Sequence, residues 1–406
     1  MNSKTSIPSR STVTLDNVSG DLVVAENAVV RGTGSPSTVK VSGTVFCEGH
    51  NTFECNLSAE RLETEDDVTI NGDLEVQDEV RAEDGHLEVH GKLTADQVDV
   101  GEALYVSKDL IAKEVEVGGS LRVDGNVKAD DIDVGGAFKA KGEVKTERVE
   151  VGGSLIVESL VDIVNLDVGG TAKVKGGKIR DIDAGGSFES EGPLEFETID
   201  VGGVARLTGK SKGGKIDVGG SFKVDGDLGF EDIDVGGKVE IAGSAEGREM
   251  EVGGKVDVNG TLRLSEDLDV GGRIEVAQEI SARNIEVGGV LRARKAMAKE
   301  RVEVGGAIIT GEGITSAFVE IGRRGEVHGL IKAEEVVIGR DARAESIYGK
   351  RILMRSGAQA ENVYGEDVTV ESHCHISGEL QYTNELRMGE HVSLSKQPQK
   401  VDRLPF

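Results

Sequence analysis

Apolar positions along this chain come in pairs two residues apart. Within residues 120–134 the pairs are Leu121/Val123, Val127/Ala129 and Ile132/Val134. Side chains at i and i+2 of a strand project to one side, so each pair predicts a short strand with two residues facing inward. The gaps between pairs are four, three and four residues. No stretch keeps apolar residues at i, i+3, i+4 and i+7, so no helix is predicted.

Each third pair brackets an acid and is followed by Gly-Gly. The first glycine of that beat falls at Gly118, Gly135, Gly152, Gly169, Gly185, Gly202, Gly219, Gly236, Gly253, Gly271, Gly288 and Gly305, a step of 17 residues with one of 16 and one of 18. A fixed period this short predicts stacked coils rather than a globular core. Strands joined by sharp corners give a triangular coil, and equivalent strands of successive coils pair in parallel. The expected fold class is therefore all-β, a single elongated β-solenoid or triangular parallel β-helix of about 17 residues per coil. Residues 12–394 would make roughly 22 coils, about 105 Å at ~4.8 Å per coil.

Glycines also follow the first pair, in Asp124-Gly125, Lys141-Gly142, Thr208-Gly209, Asp225-Gly226 and Asn259-Gly260. Glycine at corners is expected to supply positive φ, with Asp or Asn tolerating the turn. Of five prolines, Pro8, Pro398 and Pro405 lie near the chain ends and Pro193 at a corner. That suits inner strands, where proline would remove a ladder hydrogen bond.

The regularity of the pattern divides the chain. Residues 1–11 read as a disordered tail. Residues 12–97 read as irregular N-terminal coils or a cap, with one arm of a coil expected to be missing between Ala82 and Leu87. Residues 98–321 carry the regular Val-Gly-Gly repeat. In 322–394 the pairs continue without that beat, and 395–406 read as a second disordered tail.

Composition narrows the interior and the function. With no Trp, 4 Tyr and 9 Phe, the core must be mostly aliphatic, as a narrow tube requires. A net charge of −27 opposes binding to nucleic acid or anionic membranes. Cys47, Cys55 and Cys374 are too few and too odd for a disulfide framework. No signal-like run and no stretch of ~20 apolar residues is present, and a soluble cytoplasmic protein is expected.

Residues 325–339, GEVHGLIKAEEVVIG, and the run that follows resemble bactofilins, the polymer-forming cytoskeletal proteins of prokaryotes. Gly325, Val327, Gly329, Ile331, Ala333, Val336 and Ile338 carry the family's G-x-V/I-x-G-x-I-x-A-x-x-V-x-I run. The resemblance is closest over residues 321–370. It implies a right-handed triangular β-helix that assembles end to end into nucleotide-free filaments. The family's short hydrophobic membrane motif has no counterpart in MNSKTSIPSR.

Three sets of residues carry candidate chemistry. The acids bracketed by the third pair are Asp99, Glu116, Asp133, Glu150, Asp167, Asp183, Asp200, Asp217, Asp234, Glu251, Asp269, Glu286, Glu303 and Glu320. Stacked one coil apart, neighbours would repel by roughly 0.9 kcal/mol in water. Such a line keeps its face from pairing laterally, or serves as a face for divalent cations or a basic partner; on the second reading, salt or Ca²⁺ promotes bundling. His373, His375 and His391 form a metal-like set, with strand alternation placing His373 and His375 outward and His391 one coil later. Val13 and Leu15 at one end, and Val392 and Leu394 at the other, would face open coil ends. Uncovered strand edges template further pairing.

No G-x-x-x-x-G-K-[ST] loop or Ser/His/Asp set is readable, so neither enzyme activity nor a cofactor is expected. The expected function is a structural protein that polymerises with itself. The alternative is a monomeric or dimeric scaffold that binds through its acidic face.

Overall fold

The computed structural model describes residues 4–405, and among these the chain is all β with no helix. Parallel coils of about 17 residues stack into a β-solenoid of about 23 turns. The chain divides into two compact units, Met1–Gly202 and Gly203–Phe406.

In the first unit three walls are built strand upon strand. One wall runs Lys4–Ile7, Asp21–Val24, Thr44–Cys47, Arg61–Thr64, Glu79–Ala82 and Gln97–Val100, each strand parallel to the next. The second begins Thr12–Thr14, Val29–Arg31, Asn51–Glu54, Val68–Ile70 and His86–Val89. The third begins Asn17–Val18, Thr38–Val41, Asn56–Ala59 and Leu74–Val76. Alternation decides what is buried: in Glu114–Val117, Val115 and Val117 are buried while both glutamates are exposed.

Three sequence expectations need correction here. Lys4–Ile7 already belongs to a wall, so the expected tail 1–11 contains a strand: Ile7 is buried in register with Val24. Met1, Asn2 and Ser3 lie outside the described residues. No arm is missing between Ala82 and Leu87, because Glu79–Ala82 and His86–Val89 are successive walls. Their corner, residues 83–85, is one residue longer than the corner between Gln97–Val100 and Ala103–Val106, which shifts the phase of the pattern. At the other end, Gln399–Lys400 pairs with Gln381 and Tyr382, so the expected tail 395–406 contains a strand. Its apolar partner positions are too few to show in a hydrophobicity pattern.

The Gly-Gly corners are glycine for a reason other than the expected one. Their φ angles are not left-handed. A Cβ on Gly135 would instead sit 2.2 Å from the carbonyl oxygen of Gly118 in the neighbouring coil, and one on Gly118 would sit 2.2 Å from that of Gly101. The coils approach backbone to backbone at this edge and leave no room for a side chain. Positive φ is confined to other corners, among them Gly209 and Gly226.

Inside, in-register residues form apolar columns. Leu104, Leu121, Phe138, Leu155, Ala172 and Phe188 stack in order, all buried. The small Ala172 is the neighbour of the large Phe188, which keeps the column's volume near constant.

In the second unit the strands lengthen. Arg273–Val287 and Val290–Val304 each run through three walls, with register shifts at Val276/Glu279 and Ala282/Asn284 marking the corners. The segment resembling bactofilins forms three such strands, Glu326–Ile338, Arg343–Met354 and Gln359–Val370. They bury columns Ile331–Ile347–Val363 and Val336–Ile352–Val368. Ala333, expected inward, is only half-buried. On the outer side the rings of Tyr348 and Tyr364 stack at 4.6 Å.

Candidate functional site

The acidic positions form a register-perfect line within each unit. Asp99 pairs with Glu116, then Asp133, Glu150, Asp167, Asp183 and Asp200 follow in turn. In the second unit Asp217, Asp234, Glu251, Asp269, Glu286, Glu303 and Glu320 do the same. Each acid sits between two buried aliphatics on its strand and so points outward.

Compensation along this line is uneven. Asp99 ends it against Arg81 at 4.0 Å, and Arg301 pairs with Glu303. Glu116, Asp133, Glu150, Asp167, Asp183 and Asp200 have no ion-pair partner among the described residues. The acids of the neighbouring outward row do: Asp131 meets Arg148 at 3.4 Å and Asp181 meets Arg180 at 2.8 Å. Asp183 shows the consequence. Partial burial, then the charges of Asp167 and Asp200, hold its carboxyl above its ordinary range. The adjacent wall is mixed in sign, with Arg122, Lys139, Ile156, Lys173 and Glu189 in register.

Among the described residues, both terminal coils are uncovered on one side. Lys4–Ile7, Thr12–Thr14 and Asn17–Val18 pair only with the coil that follows, leaving Val13 and Leu15 half-buried. At the far end Ser393–Leu394 pairs with His375–Ile376, and Val392 and Leu394 are half-buried. Met388 is 50% exposed. No helix of the described residues covers either coil.

In the histidine set His391 does follow His373 one coil later, while His375 stands apart. His373 and His391 both occupy left-handed corners, at φ 64° and 56°, with ring centroids 5.3 Å apart. His373 is therefore a turn residue rather than the strand-alternating partner of His375. His375 instead opens the strand His375–Ile376, and these three histidines do not bring three donor atoms together. Cys374 between them is buried, its Sγ 3.1 Å from the Arg355 carbonyl oxygen. Cys47 and Cys55 are buried free thiols too, and burial pushes the Cys55 thiol up to about 11.

The sequence reading missed a second cluster. His50, Asp66 and Asp67 place donor atoms within 4.8 Å of one another. The repeat itself carries the signal: Asp67 lies 17 residues after His50, one period on. The irregular loop around Gly49 obscured that phase. No family model, curated protein or solved structure matches this chain.

Proposed function

We propose that this chain is a structural protein of the cytoplasm that joins end to end with further copies of itself into nucleotide-independent filaments. One observation carries the reading: among the described residues, the first and last coils pair their strands in parallel like interior coils yet have no further coil on one side. Each presents unpaired strand edges and half-buried aliphatics, which a second copy covers by continuing the parallel ladder. The contact joins two different surfaces, so it propagates rather than closing. The bactofilin-like run at residues 321–370 supports the same reading, and the buried free thiols suit a reducing compartment.

The test is Leu394→Asp. Leu394 is half-buried in the last coil, its strand paired only with His375–Ile376. Negative-stain images of the wild type should show long threads, and the variant isolated short particles with an unchanged β-sheet circular dichroism signal. Threads undiminished by the substitution would remove this coil from the junction.

A second reading rests on the uncompensated run from Glu116 to Asp200. A single-signed line of carboxylates fits hard divalent cations or a basic protein partner. On that reading purified protein stays as single particles and binds through the wall.

A further inference from the structure

We propose that His50, Asp66 and Asp67 hold a divalent transition metal of the zinc class, at a corner that links two successive coils of the first unit. The donor set is mixed, one imidazole and two carboxylates, which suits zinc rather than Ca²⁺ or Mg²⁺. The spacing agrees. His50 Nε2 lies 3.6 Å from Asp66 Oδ2, and His50 Nδ1 lies 3.6 Å from Asp67 Oδ2. Ligands around a tetrahedral centre with bonds of ~2.1 Å stand about 3.4 Å apart. An ion takes one ring nitrogen only, so one of these distances matches an edge of its coordination shell, and one donor atom of the remaining aspartate stands within 4.8 Å of the other two.

The two carboxylates are also held in the same sense. Asp66 Oδ1 accepts the backbone N–H of Asp67 at 2.8 Å, which turns its other oxygen toward the imidazole. Asp67 Oδ1 accepts the backbone N–H of His86 at 2.8 Å and faces His86 Nδ1 at 3.1 Å. Each aspartate is pinned by Oδ1 and offers Oδ2. Positions of the three ligands are fixed from below as well. Asn51 is buried and donates to the Ala25 carbonyl at 2.8 Å, anchoring the loop that carries His50. The backbone of Gly49 lies where any Cβ would stand 2.7 Å from Asp66 Cβ. The ligand side chains are about half exposed, so an ion reaches them from solvent and water completes its shell.

Isothermal titration of the full-length chain with zinc chloride tests this. One saturable equivalent per chain is expected, weakened at least tenfold by His50→Asn and by Asp67→Asn. Both changes suit the fold: Asn tolerates the left-handed φ of 52° at His50, and at position 67 it keeps an oxygen for the His86 N–H. His373→Ala should leave the titration unchanged. Cobalt in place of zinc should give the visible absorption of a tetrahedral site, lost in His50→Asn. Absence of saturable zinc binding overturns the proposal. So does zinc binding that His50→Asn leaves intact, or displacement of zinc by a hundredfold excess of Ca²⁺.

Discussion

Gly135 shows what the repeat demands of a single residue. Its neighbour across the coil boundary is the Gly118 carbonyl oxygen, 2.2 Å from where a Cβ would be, and both atoms belong to backbone that cannot swing aside. Gly135→Ala should therefore cost about 1–3 kcal/mol, as overpacking does. Gly229→Ala places its methyl 3.5 Å from the flexible Lys212 side chain and should be near neutral. Thermal melts of the two variants check the contrast. At another corner, Asn56 Oδ1 accepts the Asp73 N–H, and Asp73 Oδ1 in turn accepts the Lys92 N–H, both at 2.8 Å. The Lys92 N–H and, after it, the Lys108 ammonium hold the Asp73 carboxyl below its ordinary value. The ionised group thus stabilises the fold above the ordinary carboxylate pKa of about 3.9, and that stabilisation is lost as pH falls through the lowered folded value. Asp73→Ala should lower stability by about 1 kcal/mol at pH 7. The gap between wild type and variant should close in melts taken from pH 6 down to 2, and a pH-independent gap would contradict this account.

At the scale of the strand, the acid bracketed by two aliphatics is a compromise. The aliphatics fill the core, and the acid keeps the outer face from pairing with other sheets at the expense of repulsion along the wall. Asp183 has a raised pKa, from partial burial first and from that repulsion second. An acid raised in the fold destabilises when ionised, so the penalty is present at neutral pH and vanishes below the ordinary carboxylate range. Asp183→Asn should accordingly raise the midpoint of melting at pH 7 and low salt, by roughly half a kcal/mol. The gain should shrink in 1 M salt and disappear near pH 3. A variant no more stable than wild type at low salt would show that the line is already compensated.

For the whole molecule, the decisive features are what the terminal coils leave open and what the side walls do not. The walls bear charge, ion pairs and exposed polar residues. The terminal coils bear Val13, Leu15, Val392 and Leu394, half-buried, with no further coil stacked on their outer side among the described residues. Assembly through Leu394 and metal binding at His50 are separable, because they lie in different units. Loss of zinc binding in His50→Asn should leave thread formation intact, and Leu394→Asp should leave zinc binding intact.

By itself the sequence determined the coil: its length, its parallel strands, its inward pairs and the register of the acidic line. All of these follow from local periodicity, because in a stacked repeat each residue's neighbour lies one period away. Tertiary structure alone decided what depends on backbone geometry at the corners. It showed that Gly118 and Gly135 are glycine for want of space rather than for positive φ. It put His373 and His391 at left-handed turns instead of on a strand face, and it brought His50 against Asp66 and Asp67 across a loop whose length hid the period. It also drew Lys4–Ile7 and Gln399–Lys400 into the ladders, since backbone hydrogen bonds recruit strands that have few apolar side chains to announce them.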